Sequence, residues 1–329
     1  MVDIRWDAHS CVPLKADYDL ATLKRHRAAG FDYVSINVGM DMTPICDVVS
    51  MIASFREQIA RSPDFIAARS VEDVRSAAEQ GKLAVGFDLE GAKPLLANPS
   101  TVALYAELGV RQVLLAYNRA NEAAGGCYEA GAPLTELGAA FVRACEAAGI
   151  VVDCSHMNEE TAMGIMAIAQ KPVVFSHANA RVLNGNLRNI TDGMIDACAG
   201  LDGVIGVNGI SAFLPGGEAE ADAMVRVVDY LAARVGTRHV GIGLDYVYDM
   251  ELEDMPEGED PAYWFPPQFG YDEGFYKSLD FVSPEAAGSL SARLAERGYG
   301  DVDIAAIMGG NFLRIAELCW GRQQQKRAD

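Results

Sequence analysis

Ile150-Val-Val-Asp-Cys-Ser-His156 and Pro172-Val-Val-Phe-Ser-His177 are two short runs of largely β-branched residues, and each run ends in Ser-His. Such runs are typical of strands that are buried on both faces. Between them, residues 158–170 carry Ala and Met at helical spacing, with Asn158 as the N-cap. Strand, helix and strand predict one βαβ unit with parallel strands, so both histidines should emerge at the same carboxyl edge. Two histidines on neighbouring strands at that edge indicate a metal site.

The same alternation of strand and helix recurs along the chain. We predict eight strands, at Ile4–His9, Tyr33–Val38, Leu83–Leu89, Gln112–Tyr117, Val151–His156, Val173–His177, Val204–Val207 and Val240–Asp245. Helical patterns fill the gaps between them. This order predicts an α/β fold, a single (β/α)8 TIM barrel. A doubly wound open sheet is the alternative, but no Gly-rich phosphate loop follows the first strand.

One segment breaks the alternation after the eighth predicted strand. Residues 246–278 are rich in Pro, Gly, Asp and aromatic residues. The segment is too long and too apolar for a linker, so we predict a lid over the barrel mouth. Two closing helices follow it, and residues 1–320 are expected to form one domain. Residues 321–329 form a polar tail.

Composition restricts the classes of partner. The chain has 329 residues and a formal net charge of −19, which argues against a nucleic acid or an anionic membrane as partner. Its seven cysteines are odd in number and form no CxxC pair, which favours a reducing compartment. Strand-like sequence begins at Ile4, which leaves no room for a signal peptide, and no apolar run reaches transmembrane length. We therefore expect a cytoplasmic protein that acts on a small molecule.

Polar side chains at the carboxyl ends of barrel strands face the active site. Those predicted here are His9, Cys11, Glu90, Tyr117, His156, His177 and Asp245. Two imidazoles with one or two carboxylates form a metal-binding set that favours zinc. A carboxylate between two ions can bridge them, and ions about 4 Å apart can share an activated water. Asp245 is placed to accept the proton of that water.

Several of these residues also have a purely structural interpretation. Glu90 follows a buried run and precedes Gly91, so it could cap a turn, and Asp245 could cap a helix of the lid. His26 lies in a run of basic residues and is expected at the surface. His239 lies at the amino end of the last strand, the face that serves stability, and is discounted.

Further motifs accompany the two Ser-His strands. The segment from Phe175-Ser-His-Ala-Asn-Ala-Arg181 to Leu187-Arg-Asn-Ile190 occurs with Asp7-Ala-His9, Asp88-Leu-Glu-Gly91, Gly241-Ile-Gly-Leu-Asp245 and Gly309-Gly-Asn-Phe-Leu-Arg314. Together they resemble the membrane (renal) dipeptidase family of the amidohydrolase superfamily, in the same order and over nearly the whole chain.

The resemblance implies a (β/α)8 barrel with a two-zinc centre that hydrolyses dipeptides, often with a D-residue at the carboxyl side. The ligands that it implies are Glu90 as the bridge, His156 and His177 for one ion, and His9 and Asp245 for the other. It further implies that Arg188 clamps the terminal carboxylate of the substrate, which suits a planar guanidinium. Without the family, Arg188 reads equally well as an exposed arginine at a helix start. The resemblance also suggests a homodimer.

Two positions depart from the pattern of the family. The family's first-strand motif is His-x-Asp, whereas this chain has His9-Ser10-Cys11. A thiolate binds zinc but is softer and is neutral when protonated, so the second metal site is expected to be weaker, altered or empty. Tyr117 stands where the family has a histidine near the scissile carbonyl. A phenol can donate a hydrogen bond to a developing oxyanion, but it carries no positive charge.

Three functional hypotheses follow. The first is a zinc-dependent dipeptidase in which metal-activated water attacks the carbonyl and Asp245 passes a proton to the leaving amine. The second is an amidohydrolase with one ion at Glu90, His156 and His177 that cleaves another small amide, such as an N-acyl or N-methyl amino acid. The third is a catalytically degenerate homologue that keeps the Arg188 carboxylate pocket. Two bound ions, one ion or none distinguish them.

Overall fold

The computed structural model describes residues 3–95, 98, 100–249, 256, 258–269, 271 and 279–320. The predicted tail 321–329 lies outside the described residues, as does the part of the predicted lid at 250–255, 257, 270 and 272–278. Within the described ranges, no helix has both the length and the apolar character needed to cross a bilayer.

The described chain forms one parallel sheet of ten strands. They are β1 (Trp6–Cys11), β2 (Tyr33–Met40), β3 (Phe65–Ala67), β4 (Leu83–Glu90), β5 (Val110–Leu114), β6 (Val151–Asp153), β7 (Val174–Phe175), β8 (Val204–Val207), β9 (Val240–Ile242) and β10 (Tyr246–Val247). β9 pairs with β8, and β10 pairs with β1. The two are therefore one interrupted strand that closes the circuit, which confirms the predicted (β/α)8 barrel and rules out the open sheet.

Helices connect the strands and cover the outside of the barrel. They are α1 (Lys24–Ala28), α2 (Ile45–Arg61), α3 (Val71–Glu79), α4 (Thr101–Leu108), α5 (Glu136–Ala148), α6 (Glu159–Ile168), α7 (Asp192–Gly200), α8 (Ala221–Val235), α9 (Pro261–Trp264), α10 (Pro284–Ala287), α11 (Leu290–Glu296), α12 (Asp301–Ala305) and α13 (Asn311–Cys319). As predicted, Asn158 caps α6, because its side chain accepts the Thr161 backbone N–H.

The amino end of the barrel interior is apolar. Trp6 of β1 stacks on Tyr33 of β2 with ring centroids 3.6 Å apart, and Phe312 of α13 packs beside them. The first residues of β6, β7 and β8, all valines, belong to the same cluster. These side chains fill the amino end of the barrel interior. The buried polar side chains of the interior lie at its carboxyl end.

Gly243 lies in the break between β9 and β10, where the backbone passes close to Ser176 at the end of β7. A β-carbon there would lie 1.8 Å from the carbonyl oxygen of Ser176, next to His177. Only glycine permits that approach without movement of the backbone.

We expect Gly243→Ala to lower the free energy of unfolding by about 3 kcal/mol, because backbone must move to admit the methyl group. Gly185→Ala is the control, since nothing lies within 4 Å of the β-carbon that it adds. Urea unfolding of both variants measures the effect. Equal midpoints for the two would contradict the close approach.

Candidate metal centre

The side chains that the sequence predicts as metal ligands meet at the carboxyl end of the barrel. They are His9 and Cys11 of β1, Glu90 at the end of β4, His156 after β6, His177 after β7 and Asp245 between β9 and β10, and all are buried. Alternation along a strand puts residues i and i+2 on one side, which explains why both His9 and Cys11 face the cluster. Nitrogen, sulfur and oxygen atoms of these residues form three groups whose members lie within 4.8 Å of one another.

The first group consists of Glu90, His156 and His177. Glu90 Oε1 lies 3.0 Å from His156 Nε2 and 3.5 Å from His177 Nε2, and the two Nε2 atoms are 2.9 Å apart. Ligands of one zinc ion at bond lengths of about 2.0–2.1 Å are separated by about 2.9 Å at a right angle and about 3.4 Å at the tetrahedral angle. The three atoms therefore have the spacing of ligands of a single cation.

The other two groups share His9. One adds Cys11 and Glu90 to it, and the other adds His177 and Asp245. The Nε2 atom of His9 lies 3.5 Å from Glu90 Oε1, 3.6 Å from Asp245 Oδ1 and 3.4 Å from Cys11 Sγ. The His9 ring also stacks on His177, with centroids 4.0 Å apart. Glu90 belongs both to the first group and to the group with Cys11, which is the position of a bridging carboxylate.

Each of these side chains except Cys11 has a second polar atom that faces away from the cluster. That outer atom has a hydrogen-bond partner in every case. The pairs are His9 Nδ1 with Asp88 Oδ1 (3.1 Å), His156 Nδ1 with Asn118 Oδ1 (2.8 Å), His177 Nδ1 with Ser176 Oγ (2.6 Å), Glu90 Oε2 with Asn37 Nδ2 (2.7 Å) and Asp245 Oδ2 with Asn208 Nδ2 (2.8 Å). An acceptor at Nδ1 fixes the proton there and leaves the Nε2 lone pair free for a cation.

These supporting residues were missed by the sequence analysis. Asn37 lies in β2 and Asn208 directly follows β8, two strands to which no site residue had been assigned. The available signal was a polar side chain at the carboxyl end of an otherwise apolar run. Asp88, two residues before Glu90, carries the same signal.

Three residues of the site have strained backbone conformations. Asn118, His156 and Asp245 have φ angles of 58°, 65° and 53°, in the left-handed region that favours glycine. Such conformations cost free energy and persist where surrounding contacts impose them. The strain therefore coincides with the ligands and with the residue that orients His156.

Burial and crowding shift the protonation equilibria of the cluster. Burial raises the pKa of Glu90 to about 8 and also raises the pKa of Asp245. Burial lowers the pKa of His156 and of His177 well below the ordinary value. Burial alone would lower the pKa of His9, but neighbouring acidic groups, Asp88 first, raise it well above the ordinary value. Neutral imidazoles and crowded carboxylates of this kind are stabilised by a cation among them.

Arg188 follows β7 and is buried rather than exposed. Its Nη2 donates to the His177 carbonyl at 3.5 Å, and its guanidinium carbon lies 5.5 Å from the Phe213 ring centroid. Among the residues that the structure describes, it forms no ion pair. A buried guanidinium with so few partners favours an anionic ligand.

Tyr117 lies above His156. The two rings stack with centroids 4.4 Å apart, and Phe265, from the described part of the predicted lid, contacts Tyr117 with centroids 5.9 Å apart. Asn118 Nδ2, in turn, donates to the carbonyl of Trp264 at 3.2 Å. Trp264 and Phe265 of the predicted lid thus contact Asn118 and Tyr117, which lie beside His156.

His26 is not at the surface, and this expectation was wrong. It is fully buried, with Nε2 2.9 Å from Asp7 Oδ2 and Nδ1 2.7 Å from the Tyr248 hydroxyl. Asp7 Oδ1 accepts the Leu244 N–H at 2.8 Å, so the pair braces β1 against the interrupted strand that carries Asp245. The spacing of three from Leu20 through Leu23 to His26 was the signal for an inward position.

Ser176 connects His177 to a buried carboxylate, because its hydroxyl also contacts Asp153 Oδ2. We expect Ser176→Ala to weaken metal binding by about 10–100-fold, because it removes the group that orients the His177 ring. Equilibrium dialysis against zinc measures this loss. Ser155→Ala is the control, since Ser155 Oγ reaches the backbone N–H of His177 (3.3 Å) and the Ser176 hydroxyl (3.4 Å) but not the His177 ring. Equal losses in both variants would contradict an orienting role.

Known proteins resemble this chain over much of its length. A family model described as membrane dipeptidase (peptidase family M19) matches residues 15–259, a range that begins after His9 and Cys11. Dipeptidase aclJ of Aspergillus oryzae is 27% identical over 290 residues, which cover 84% of this chain and 62% of that protein. The chain spans between 51% and 62% of the length of four curated relatives that it matches.

Solved structures share the fold. An amidohydrolase from Pseudomonas aeruginosa has a TM-score of 0.84 and 24% identity, with 97% of each chain covered. A metallopeptidase from Rhodobacter sphaeroides, solved with a phosphinate mimic of the dipeptide L-Ala-D-Ala, has a TM-score of 0.74 and 20% identity. That match covers 96% of this chain and 99% of the other.

Proposed function

The chain belongs to the membrane dipeptidase family, peptidase family M19, and on this premise we propose that it is a zinc-dependent dipeptidase. The observation that carries the proposal is the position of Glu90. Its Oε1 atom lies 3.0–3.5 Å from the Nε2 atoms of three histidines. A carboxylate oxygen among three buried imidazoles suits a pair of bridged cations.

In this proposal, His156 and His177 hold one cation, and His9 and Asp245 help to hold the other, with Glu90 between them. The nitrogen and oxygen donors suit zinc. When bound, the cations would activate a water molecule and polarise the substrate carbonyl.

Asp245 is proposed to carry the proton. Asn208 holds its Oδ2, while its Oδ1 faces the cluster 3.6 Å from His9 Nε2. An oxygen held at this place can take a proton from the attacking water and deliver it to the leaving amine. Glu90 would contribute to catalysis as the carboxylate that lies between the two cations.

The substrate is proposed to be a dipeptide with a free carboxylate. The buried Arg188 supplies the cation that such a carboxylate needs, and its fork can form two parallel hydrogen bonds. Tyr117 is proposed to donate a hydrogen bond to the oxygen of the scissile carbonyl. The lid at 246–278 would exclude water, and the contact of Phe265 with Tyr117 supports this role.

The test is a panel of dipeptides with L- or D-residues at the carboxyl side, offered to the zinc-loaded protein with detection of released amino acids. We expect hydrolysis, and we expect Asp245→Asn to abolish it while the fold is kept. No hydrolysis of any dipeptide by protein that binds two ions would contradict the proposal and favour the degenerate homologue.

A mononuclear amidohydrolase is the second candidate. Glu90, His156 and His177 form a complete three-ligand group by themselves, without His9. One bound ion per chain and cleavage of N-acetylated or N-methylated amino acids, with dipeptides left intact, would support this alternative.

We also propose a cytoplasmic location and a homodimer. All seven cysteines are free and six are buried, which suits a reducing compartment. The dimer rests on the family resemblance alone. Light scattering after size-exclusion chromatography tests it.

A further inference from the structure

Cys11 differs in its surroundings from the other buried cysteines. Cys145, Cys154 and Cys198 belong to the main apolar core, Cys319 to the apolar cluster at the amino end of the barrel, and Cys127 to a small aromatic cluster. Cys11 belongs to none of the three apolar clusters formed by the described residues, although only 8% of its surface is exposed. A buried cysteine that only fills space is surrounded by hydrocarbon, so another role is needed for Cys11.

The neighbours of Cys11 Sγ are atoms that can bind a metal ion. Sγ lies 3.4 Å from His9 Nε2 and 4.0 Å from Asp245 Oδ1, and its group with His9 and Glu90 falls within 4.8 Å. A sulfur and a nitrogen bound to one zinc ion at about 2.3 Å and 2.05 Å lie about 3.6 Å apart in tetrahedral geometry. The observed separation of Sγ and Nε2 therefore fits a shared cation.

The backbone fixes this position from the neighbouring strand. Cys11 pairs with Val247 of β10, and its carbonyl accepts the Tyr248 N–H at 2.9 Å. The Asp245 N–H donates to the His9 carbonyl at 2.8 Å. The same strand pairing thus sets the distance between the thiol, the imidazole and the carboxylate, and Sγ is held near the other donors without movement of the chain.

We propose that Cys11 is a thiolate ligand of the second cation, completing a site with His9, Asp245 and Glu90. The inference rests on the proposed function and adds to it that the two cations occupy chemically unequal sites. The site with His156 and His177 has nitrogen and oxygen donors, whereas the Cys11 site adds sulfur. Sulfur ligation favours zinc, cobalt and cadmium over magnesium and manganese at the second site.

Cadmium titration of the metal-free protein tests this inference. The ultraviolet absorbance reports thiolate-to-cadmium charge transfer, and elemental analysis counts the bound ions. The parent protein and all variants carry Cys46→Ser, which removes the exposed thiol. We expect a saturable band in the parent protein, no band in Cys11→Ser, and binding of the second cadmium weaker by about tenfold or more. Cys127→Ala is the matched control, equally exposed at 8%, and should keep the band.

A second variant guards against misfolding of Cys11→Ser. Cys11→Asp offers a hard ligand of similar size, and it should lose the band while its preference for cadmium over manganese at the second site falls by about tenfold. Two bound cadmium ions without a band in the parent protein, or a band that persists in Cys11→Ser, would overturn the inference and leave the proposed function intact. A parent protein that binds no cadmium would overturn both.

Discussion

Replacing His177 with alanine is expected to remove hydrolysis of dipeptides and to empty the first metal site. His177 Nε2 lies 2.9 Å from His156 Nε2 and 3.5 Å from Glu90 Oε1, so its loss leaves that cation with two protein ligands. We expect zinc affinity at this site to fall by more than about a hundredfold, and kcat/KM by at least about a thousandfold. Elemental analysis after dialysis and a dipeptide assay measure the two losses.

His239→Ala is the control for this change. His239 is half-buried at the amino end of β9, where its Nδ1 contacts the Gly203 carbonyl at 2.9 Å. The control variant should keep both its zinc and its activity, because it removes an imidazole that lies away from the cluster. Unchanged zinc content in His177→Ala would refute the ligand assignment.

The second large effect is expected at Arg188. Arg188→Met removes a buried cation that forms no ion pair among the described residues. Truncating one partner of a buried charge pair costs about 2–5 kcal/mol, so kcat/KM for a dipeptide should fall by about thirtyfold to about five-thousandfold. The measurement compares each dipeptide with its carboxyl-terminal amide, in parent protein and variant.

The amide identifies the origin of the loss at Arg188. The parent protein should prefer the free carboxylate, whereas Arg188→Met should hydrolyse both substrates at similar low rates. The preference of Arg188→Lys for the free carboxylate should lie between those of the parent protein and Arg188→Met. Lysine keeps the positive charge but lacks the planar guanidinium that can form two parallel hydrogen bonds. An equal loss for dipeptide and amide would show that Arg188 supports the fold and does not bind the carboxylate.

The architecture was largely predictable from the sequence, because parallel strands that are buried on both faces have continuous apolar sequences. All eight predicted strands occur, with ends shifted by a few residues. β3 (Phe65–Ala67) was missed, since it has three residues and pairs only with the first half of β4, outside the barrel circuit. The break after Ile242 was also missed, because it depends on the close approach of Gly243 to Ser176 and not on a local pattern.

The residues that face the cluster were predictable from the sequence, but the hydrogen-bond partners that hold them were not. Strand ends predicted His9, Glu90, His156, His177 and Asp245 as neighbours, and the structure brings them together. The partners of their outer atoms come from strands far away in the sequence, and spacing along the chain does not reveal such pairs. The burial of Arg188 likewise depends on distant residues, so the sequence left its exposure open.

The central claim is that the buried cluster at the carboxyl end of the barrel holds catalytic cations. Elemental analysis of the purified protein, loaded with zinc and then dialysed, tests it most directly. We predict two ions per chain, with hydrolysis of a dipeptide that is lost on chelation and restored by zinc. A chain that retains no ion and stays inactive after zinc is supplied would contradict the account.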